Sequence, residues 1–591
     1  MADNKLLNRF ELKRRSKGLK KHARKAEGAT VRHARRFVVN RWENIREVRI
    51  RVIVWLGCVG LLIAIVGLQM MWFQRSYIMS APVAGGTYAE AVRGPIDTLD
   101  PLYATTPAEV SASRLLFSSL FNFDATGHLK GDLARSMTIE NNKVFTVTLR
   151  SDARWHDGQP VKAADVIFTV DLMKNPAARS VMHASWRGIE AKEIDEQTVQ
   201  FTLPASLAVF PQALTFSIVP QHLLKNVEPG NLRESAFSTA PVGSGAFTLK
   251  LLQTVNETTG RKIVHVAANR DYYAGTPRLD RLQLHAYHDD ESVARALRTG
   301  EVSAASDIPS NLANAIDKDR YDIVAKPTNS GVYAFFNVGQ PLLKDPAVRR
   351  ALQLSTNTAA IREQLYDTPE AMDLPFAKRQ VPGSETLVAP AYDKVAAAKL
   401  LTDNGWAMQG NVRVKGEEKL QLRIVTRKNS EYEKTLELLS GQWRDLGVDV
   451  QTQVVDTADA TQSFAQQVLQ QRGYDVLLDE LMIGADPDVF YFWHSRGQLN
   501  VSNYSNQVSD DALASARTTT DSALRSLKYL AFARQWLEDV PAIGLYQSDY
   551  IYAQIKGAST IRPDEIIVEP NEHYANVRYW TAERGSLYKT P

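Results

Sequence analysis

The sequence predicts a mixed α/β protein with at least two large lobes, and three observations predict it. Strand-like runs at 199–203 (VQFTL), 262–268 (KIVHVAA), 281–287 (RLQLHAY), 420–426 (LQLRIVT) and 448–455 (VDVQTQVV) alternate with helical stretches at 292–300, 394–405 and 431–447. The segment 420–455 reads as strand, long amphipathic helix ending at Gly447, and strand, the building block of a parallel or mixed sheet. A chain of 591 residues with 44% apolar side chains exceeds what a single hydrophobic core serves.

The chain begins with a basic arm. Residues 1–51 hold 17 Lys and Arg against 5 Asp and Glu; with a total charge of +4, the remainder is net acidic. Residues 52–73 (VIVWLGCVGLLIAIVGLQMMWF) carry no charge and are long enough to cross a bilayer as a helix. Trp55 and Trp72 stand near the two ends, where interfacial aromatics belong. By the positive-inside rule the arm stays cytoplasmic and the large remainder lies outside. Cleavage of a signal peptide near residues 79–84 is the competing reading; the long arm and long apolar run fit an uncleaved anchor better. Cys58, the chain's one cysteine, sits inside that run behind Trp55, Leu56 and Gly57, an unsuitable setting for lipid attachment. A lone cysteine also excludes an intrachain disulfide and a cysteine-based zinc site. For the arm itself, contact with anionic lipid or a plain topology signal is expected, and nucleic acid is not expected as a partner.

After a linker at 74–84 comes the body. Residues 144–149 alternate as a strand, and Trp155, His156, Asp157 and Gly158 supply a turn. Pro160 fixes the exit, and a helix begins at Ala163. His156 and Asp157 read as turn chemistry, since adjacent residues cannot easily orient each other as base and orienter. No HExxH, GxSxG or GxxxxGK[ST] pattern occurs, so the common protease, hydrolase and phosphate-cradle signals are missing. No enzymatic activity, cofactor or metal is expected.

Residues 149–170, LRSDARWHDGQPVKAADVIFTV, resemble the family 5 extracellular solute-binding proteins, the oligopeptide, dipeptide and nickel receptors of bacterial ABC importers. The resemblance continues collinearly through Thr98-Leu99-Asp100-Pro101, VGSGAF at 242–247, NRDYYAGTPRLDRL from Asn269, AFFNVGQPLLKDPAVRRAL from Ala334, AYDKVAAAKLLTDNGW from Ala391, and ADPDVFYFWHS from Ala485. It implies a two-lobed, Venus-flytrap fold of the periplasmic-binding-protein type with an extra subdomain. The first lobe would take residues 85–328, with the insert at about 103–241, the second 329–545, and the tail 546–591 would return to the first. It further implies a monomeric receptor that passes a peptide or similar polar solute to ABC permease and ATPase subunits.

The same resemblance places Phe336, Asn337, Asp486 and Trp493 at the ligand. Asp486 can equally belong to a turn, and Trp493 to the core. Where the peptide-binding branch has an aspartate for the ligand's amino group, this chain has Ile483, with acids at Asp479, Glu480, Asp486 and Asp488 instead. A nickel-complex receptor and a solute-sensing signalling receptor are the alternatives.

Overall fold

The computed structural model describes residues 45–256, 260–456, 463–563 and 565–588. The expectations for the arm before residue 45 lie outside them. By its contacts the chain divides into one unit of residues 1–81 with 585–591 and a second of residues 82–584.

In the first unit, helix α1 (Ile45–Tyr77) runs for 33 residues. Its segment Arg49–Trp72, 24 residues with a mean hydropathy of 2.5, is long and apolar enough to cross a membrane. None of that segment is buried in protein.

The second unit is organised by a ten-stranded sheet. Its strands are β1 (Thr87–Arg93), β2 (Phe247–Asn256), β3 (Arg261–Ala268), β4 (Arg281–Tyr287), β5 (Ala304–Ala305), β6 (Tyr321–Phe336), β7 (Gln421–Arg427), β8 (Asp449–Val455), β9 (Val476–Met482) and β10 (Ala542–Ile555). They lie in the order β8-β7-β9-β6-β10-β5-β1-β4-β3-β2. The unit expected at 420–455 is present: β7 and β8 pair in parallel, Gln421 opposite Asp449, across helix α2 (Ser430–Leu446). Asn429 caps that helix by accepting from the N–H groups of Glu431 and Tyr432, and Gly447 ends it at φ 99°. Tyr432, Thr435, Leu436, Leu439, Trp443 and Leu446 form the face it buries, at the three-and-four spacing of an amphipathic helix.

Hydrophobic clusters divide the body into two lobes. One cluster gathers Tyr88, Leu115, Phe145, Val264, Leu284, Tyr552 and Trp580; two others gather residues from Val332 to Tyr546. Two strands, β6 and β10, run from one lobe into the other as an antiparallel pair. Their register is regular from Tyr321–Ile555 to Pro327–Asp549, breaks, and resumes at Gly331–Gln547. Beyond the break Gly544 lies against the chain at Met372: a Cβ there would sit 1.6 Å from the Met372 carbonyl oxygen.

Inserted in the first lobe is a four-stranded antiparallel sheet of Ala134–Glu140, Val144–Leu149, Thr198–Thr202 and Glu190–Asp195. The turn after Val144–Leu149 closes with Trp155 N–H donating to the Gln159 carbonyl, 2.8 Å. His156 is consumed structurally: its Nδ1 accepts from Gly243 N–H (3.2 Å), so Nε2 carries the proton and donates to the Gly245 carbonyl (3.1 Å). Burial pushes its pKa down, in keeping with a neutral ring. Asp157 meets His222 at 2.7 Å on the surface.

Candidate functional site: the cleft between the lobes

Both lobes contribute carboxylates where the crossing strands meet. From the first comes Asp307, just past β5, with its backbone in the left-handed region at φ 49°. From the second come Glu431 at the start of α2 and Asp479 and Glu480 on β9, with Asp549 at the register break itself. Arg427 reaches Asp479 at 2.8 Å and Glu480 at 3.7 Å, and the Tyr432 hydroxyl donates to Glu480 at 3.1 Å. Glu431 accepts from the hydroxyl of Ser310, a contact that spans the two lobes. A second such contact joins the insert to the second lobe, where Ala208 N–H donates to the Arg517 carbonyl at 2.8 Å. These two hydrogen bonds bring the lobes into contact.

Withdrawal from water raises the pKa of Asp307, opposed by the charge of Arg93 and aided by that of Glu480 in the other lobe. Burial also raises Glu431, and burial with the charges of Glu431, Asp367 and Glu370 pushes Asp549 up to about 7. Acids raised by one another's proximity favour a cation in their midst.

Beside the crossing strands lies a cavity of about 790 Å³. Thr126, Gly127, His128, Ile566 and Val568 of the first lobe line one side; Arg379, Gln380, Asp486, Arg525 and Tyr529 of the second line the other, with Asn329 of β6 at the edge. Asp486 is the expected site residue that lines this space, and its carboxylate is held by Arg525 through two hydrogen bonds of 2.7 Å. Asp488 is likewise taken by Arg517 at 2.8 Å.

The other three expected ligand residues are placed elsewhere. Phe336 is fully buried and packs its ring 6.1 Å from that of Trp443 beneath α2. Trp493 is fully buried among Tyr333, Phe335 and Trp536, with ring centroids 6.2, 5.6 and 5.4 Å away. The Asn337 amide is used inside the fold: it donates to the Tyr474 carbonyl at 3.1 Å and accepts from Asn503 at 2.7 Å. At Val332 to Phe336 strand β6 is covered on both faces. Val332, Ala334 and Phe336 join one cluster, Tyr333 and Phe335 the other. Sequence reading did not find Asp307, Arg379, Glu431 or Asp549 as site residues, because they come from four separate segments that no local motif joins. Among the described residues no group of three or more His, Cys, Asp or Glu could hold a metal ion.

Two α/β lobes joined by a pair of crossing strands, with a chamber between them, define a two-lobed binding protein of the kind that closes on a ligand. The profile of the bacterial extracellular solute-binding proteins, family 5 middle region, matches residues 128–503, and the chain belongs to that family. The oligopeptide-binding protein AppA of Bacillus subtilis is 24% identical over 481 residues, 79% of this chain and 87% of its own length. The glutathione-binding protein GsiB of Escherichia coli is 24% identical over 515 residues, covering 84% and 96%. Among solved structures, NikZ of Campylobacter jejuni in complex with Ni(L-His) superposes with a TM-score of 0.69 at 25% identity, covering 84% of this chain and 99% of that one. CtaP of Listeria monocytogenes gives 0.73 at 23%, covering 85% and 100%.

Proposed function

We propose that the protein is a membrane-anchored, extracytoplasmic receptor that captures a peptide, or a polar solute like one, between its lobes and presents it to an ABC permease. The observation that carries the ligand class is a set of mutually repelling carboxylates drawn from both lobes, Asp307 just past β5 and Glu431, Asp479 and Glu480 on α2 and β9, with Glu431 held to the first lobe by the Ser310 hydroxyl. A cation set between them, such as a peptide's α-amino group, would relieve that repulsion and favour the closed arrangement. This would supply what the aspartate missing at Ile483 supplies in the peptide-binding branch. Names of relatives support the same class: AppA is an oligopeptide-binding and GsiB a glutathione-binding protein. Helix α1 is the proposed anchor, which keeps the receptor beside its permease; the family's extracellular character agrees with a body outside the membrane. Of the four residues expected at the ligand, Asp486 lines the cavity with its charge met by Arg525, and Phe336, Asn337 and Trp493 support the second lobe from within.

The test is mass spectrometry of what the full-length protein, purified in detergent, retains. Peptides are the expected cargo. Recovery of a stoichiometric metal complex with no peptide would replace this reading by transport of that complex, and turnover of the retained molecule by the pure protein would overturn the receptor reading.

A further inference from the structure

The first lobe has a pocket of its own, apart from the cleft. It holds about 250 Å³, and every residue lining it belongs to that lobe. Six charged side chains stand on its wall: Arg114, Lys130, Arg150 and Arg578 against Asp124 and Asp132. Four of the six are already matched. Arg150 is held by both oxygens of Asp152 at 2.6 and 3.0 Å, and Arg114 by Glu572. Asp132 accepts from Ser119 N–H at 3.1 Å and from the Tyr273 hydroxyl. Asp124 turns one oxygen to three donors of its own loop, the Thr126 N–H, the Thr126 hydroxyl and the His128 N–H. Lys130 and Arg578 are different. Among the described residues no carboxylate stands within 4.0 Å of either, and nothing accepts from the Lys130 ammonium. The Arg578 guanidinium donates to the Tyr579 hydroxyl alone and lies 4.4 Å over that ring.

We propose that Lys130 and Arg578 make this pocket a second binding site, for the oxyanion of a small molecule, a carboxylate or a phosphate, distinct from the cleft and independent of what the cleft takes. The two cations come from distant segments, Lys130 from the hairpin of Phe121–Phe123 and Leu129–Gly131 and Arg578 from the helical turn Pro570–Tyr579. Pairing of Lys130 with Asn122, which also lines the pocket, fixes where the lysine stands. A guanidinium laid flat on an aromatic ring keeps an edge whose parallel N–H donors match the spacing of two oxygens, and the ammonium adds a point charge beside it. Phe117, Phe123, Tyr272 and Tyr273 supply apolar wall. They suit a compact apolar body behind the oxyanion, and they exclude water, so that opposite charges attract more strongly than in bulk solvent. A ligand held by one lobe makes no differential contact with the open and closed arrangements, so this site fills equally in both.

Calorimetry on the full-length protein in detergent uses three probes: benzoate, inorganic phosphate, and benzamide as the neutral match to benzoate. At least one of the two anions should bind, and benzamide should not. Tighter binding of benzoate assigns the site to organic carboxylates, and tighter binding of phosphate assigns it to phosphate. Lys130→Gln and Arg578→Gln should each weaken the bound anion at least roughly tenfold, the scale of a charge-assisted hydrogen bond. Arg578→Lys should recover part of that loss. Lys192→Gln, the same loss of charge at an exposed position of the insert's sheet, should change nothing. Both Gln variants should still retain the cargo that the wild type carries in its cleft. A variant that loses cargo as well has lost its fold; Lys130→Gln, at an exposed strand position, then decides alone. Binding of neither anion by the wild type, equal binding of benzamide and benzoate, or undiminished anion binding in the double variant would each overturn the site and leave the receptor reading standing.

Discussion

Arg525 grips Asp486 through two hydrogen bonds of 2.7 Å, so the acid that the sequence places at the ligand already has its cation. The pair is mostly enclosed, with side chains 15% and 13% exposed, and Arg525 donates a further bond to the Tyr529 hydroxyl at 2.8 Å. This ties the loop before the short helix Phe490–Trp493 to the long helix Ser522–Asp539.

Asp486→Asn should therefore cost stability more than affinity. Removing one charge from an enclosed pair strands the other, at roughly 2–4 kcal/mol. Denaturant titration of the full-length protein reads this directly. Adding Arg525→Gln to the first substitution should recover part of the loss, since no charge is then stranded. Undiminished stability together with lost binding would return Asp486 to the ligand.

What the sequence showed and what it hid follow from the range of the interactions involved. The unit from Gln421 to Val455 was legible because strand alternation, the Asn429 cap, the helix face and Gly447 all lie within one short stretch. The turn at Trp155–Gly158 was legible for the same reason. The burial of Phe336 and Trp493 was not legible, because an aromatic side chain in a segment matching a ligand-facing region looks the same whether it meets a ligand or a core, and the layers packed over β6 come from distant segments. The acids of the cleft were hidden differently. Asp307 and Glu480 are 173 positions apart, and the charge of Glu480 acts on Asp307 only once the lobes are folded and touching.

Asp100 sets a pH dependence that can be isolated. It is fully buried in the loop after β1; one carboxylate oxygen accepts from Leu102 N–H at 3.0 Å and the other has no partner. Burial raises its pKa from 3.8 to about 7. Between those values the native state holds a proton that the unfolded chain has released, so stability falls as pH rises from about 4 to about 7 and levels off above. The contribution is at most roughly 4 kcal/mol. Asp100→Asn, permanently neutral, should flatten this part of the profile and be more stable than the wild type at pH 8. Parallel profiles for the two proteins would show that Asp100 is not the group responsible.

Contact between Ser310 and Glu431 fastens one lobe to the other, so Ser310→Ala should favour the open arrangement. A hydrogen bond to a charged acceptor is worth about 1.5–3 kcal/mol, enough to change the closed population several-fold. Spin labels report it: Val181→Cys and Val395→Cys place them on exposed sites of the two lobes, 58% and 80% accessible, in a Cys58→Ser background. The longer-distance population should grow in the Ser310→Ala protein without ligand and shrink when ligand is added. An unchanged distance distribution would mean that the Ala208–Arg517 contact holds the lobes together by itself.

The proposed anchor makes a prediction independent of any ligand. Arg49–Trp72 spans 24 residues, which at 1.5 Å per residue is about 36 Å and covers a hydrocarbon core of about 30 Å. Leu61, Ile63 and Leu68 along it are more than half exposed, apolar surface that water does not tolerate and lipid does. If this helix alone holds the protein, attachment owes nothing to lipid on Cys58, and Cys58→Ser should stay in the membrane fraction. Replacing Ile63 and Leu62 together by Arg should release the protein or stop its insertion, because a charge near the middle of a spanning helix costs about 2.5–3.5 kcal/mol each. Protease added to intact cells, or to spheroplasts where an outer membrane intervenes, should digest the body and spare an epitope placed in the basic arm. Protection of the body, or release by Cys58→Ser, would each refute the single-helix anchor with its arm inside.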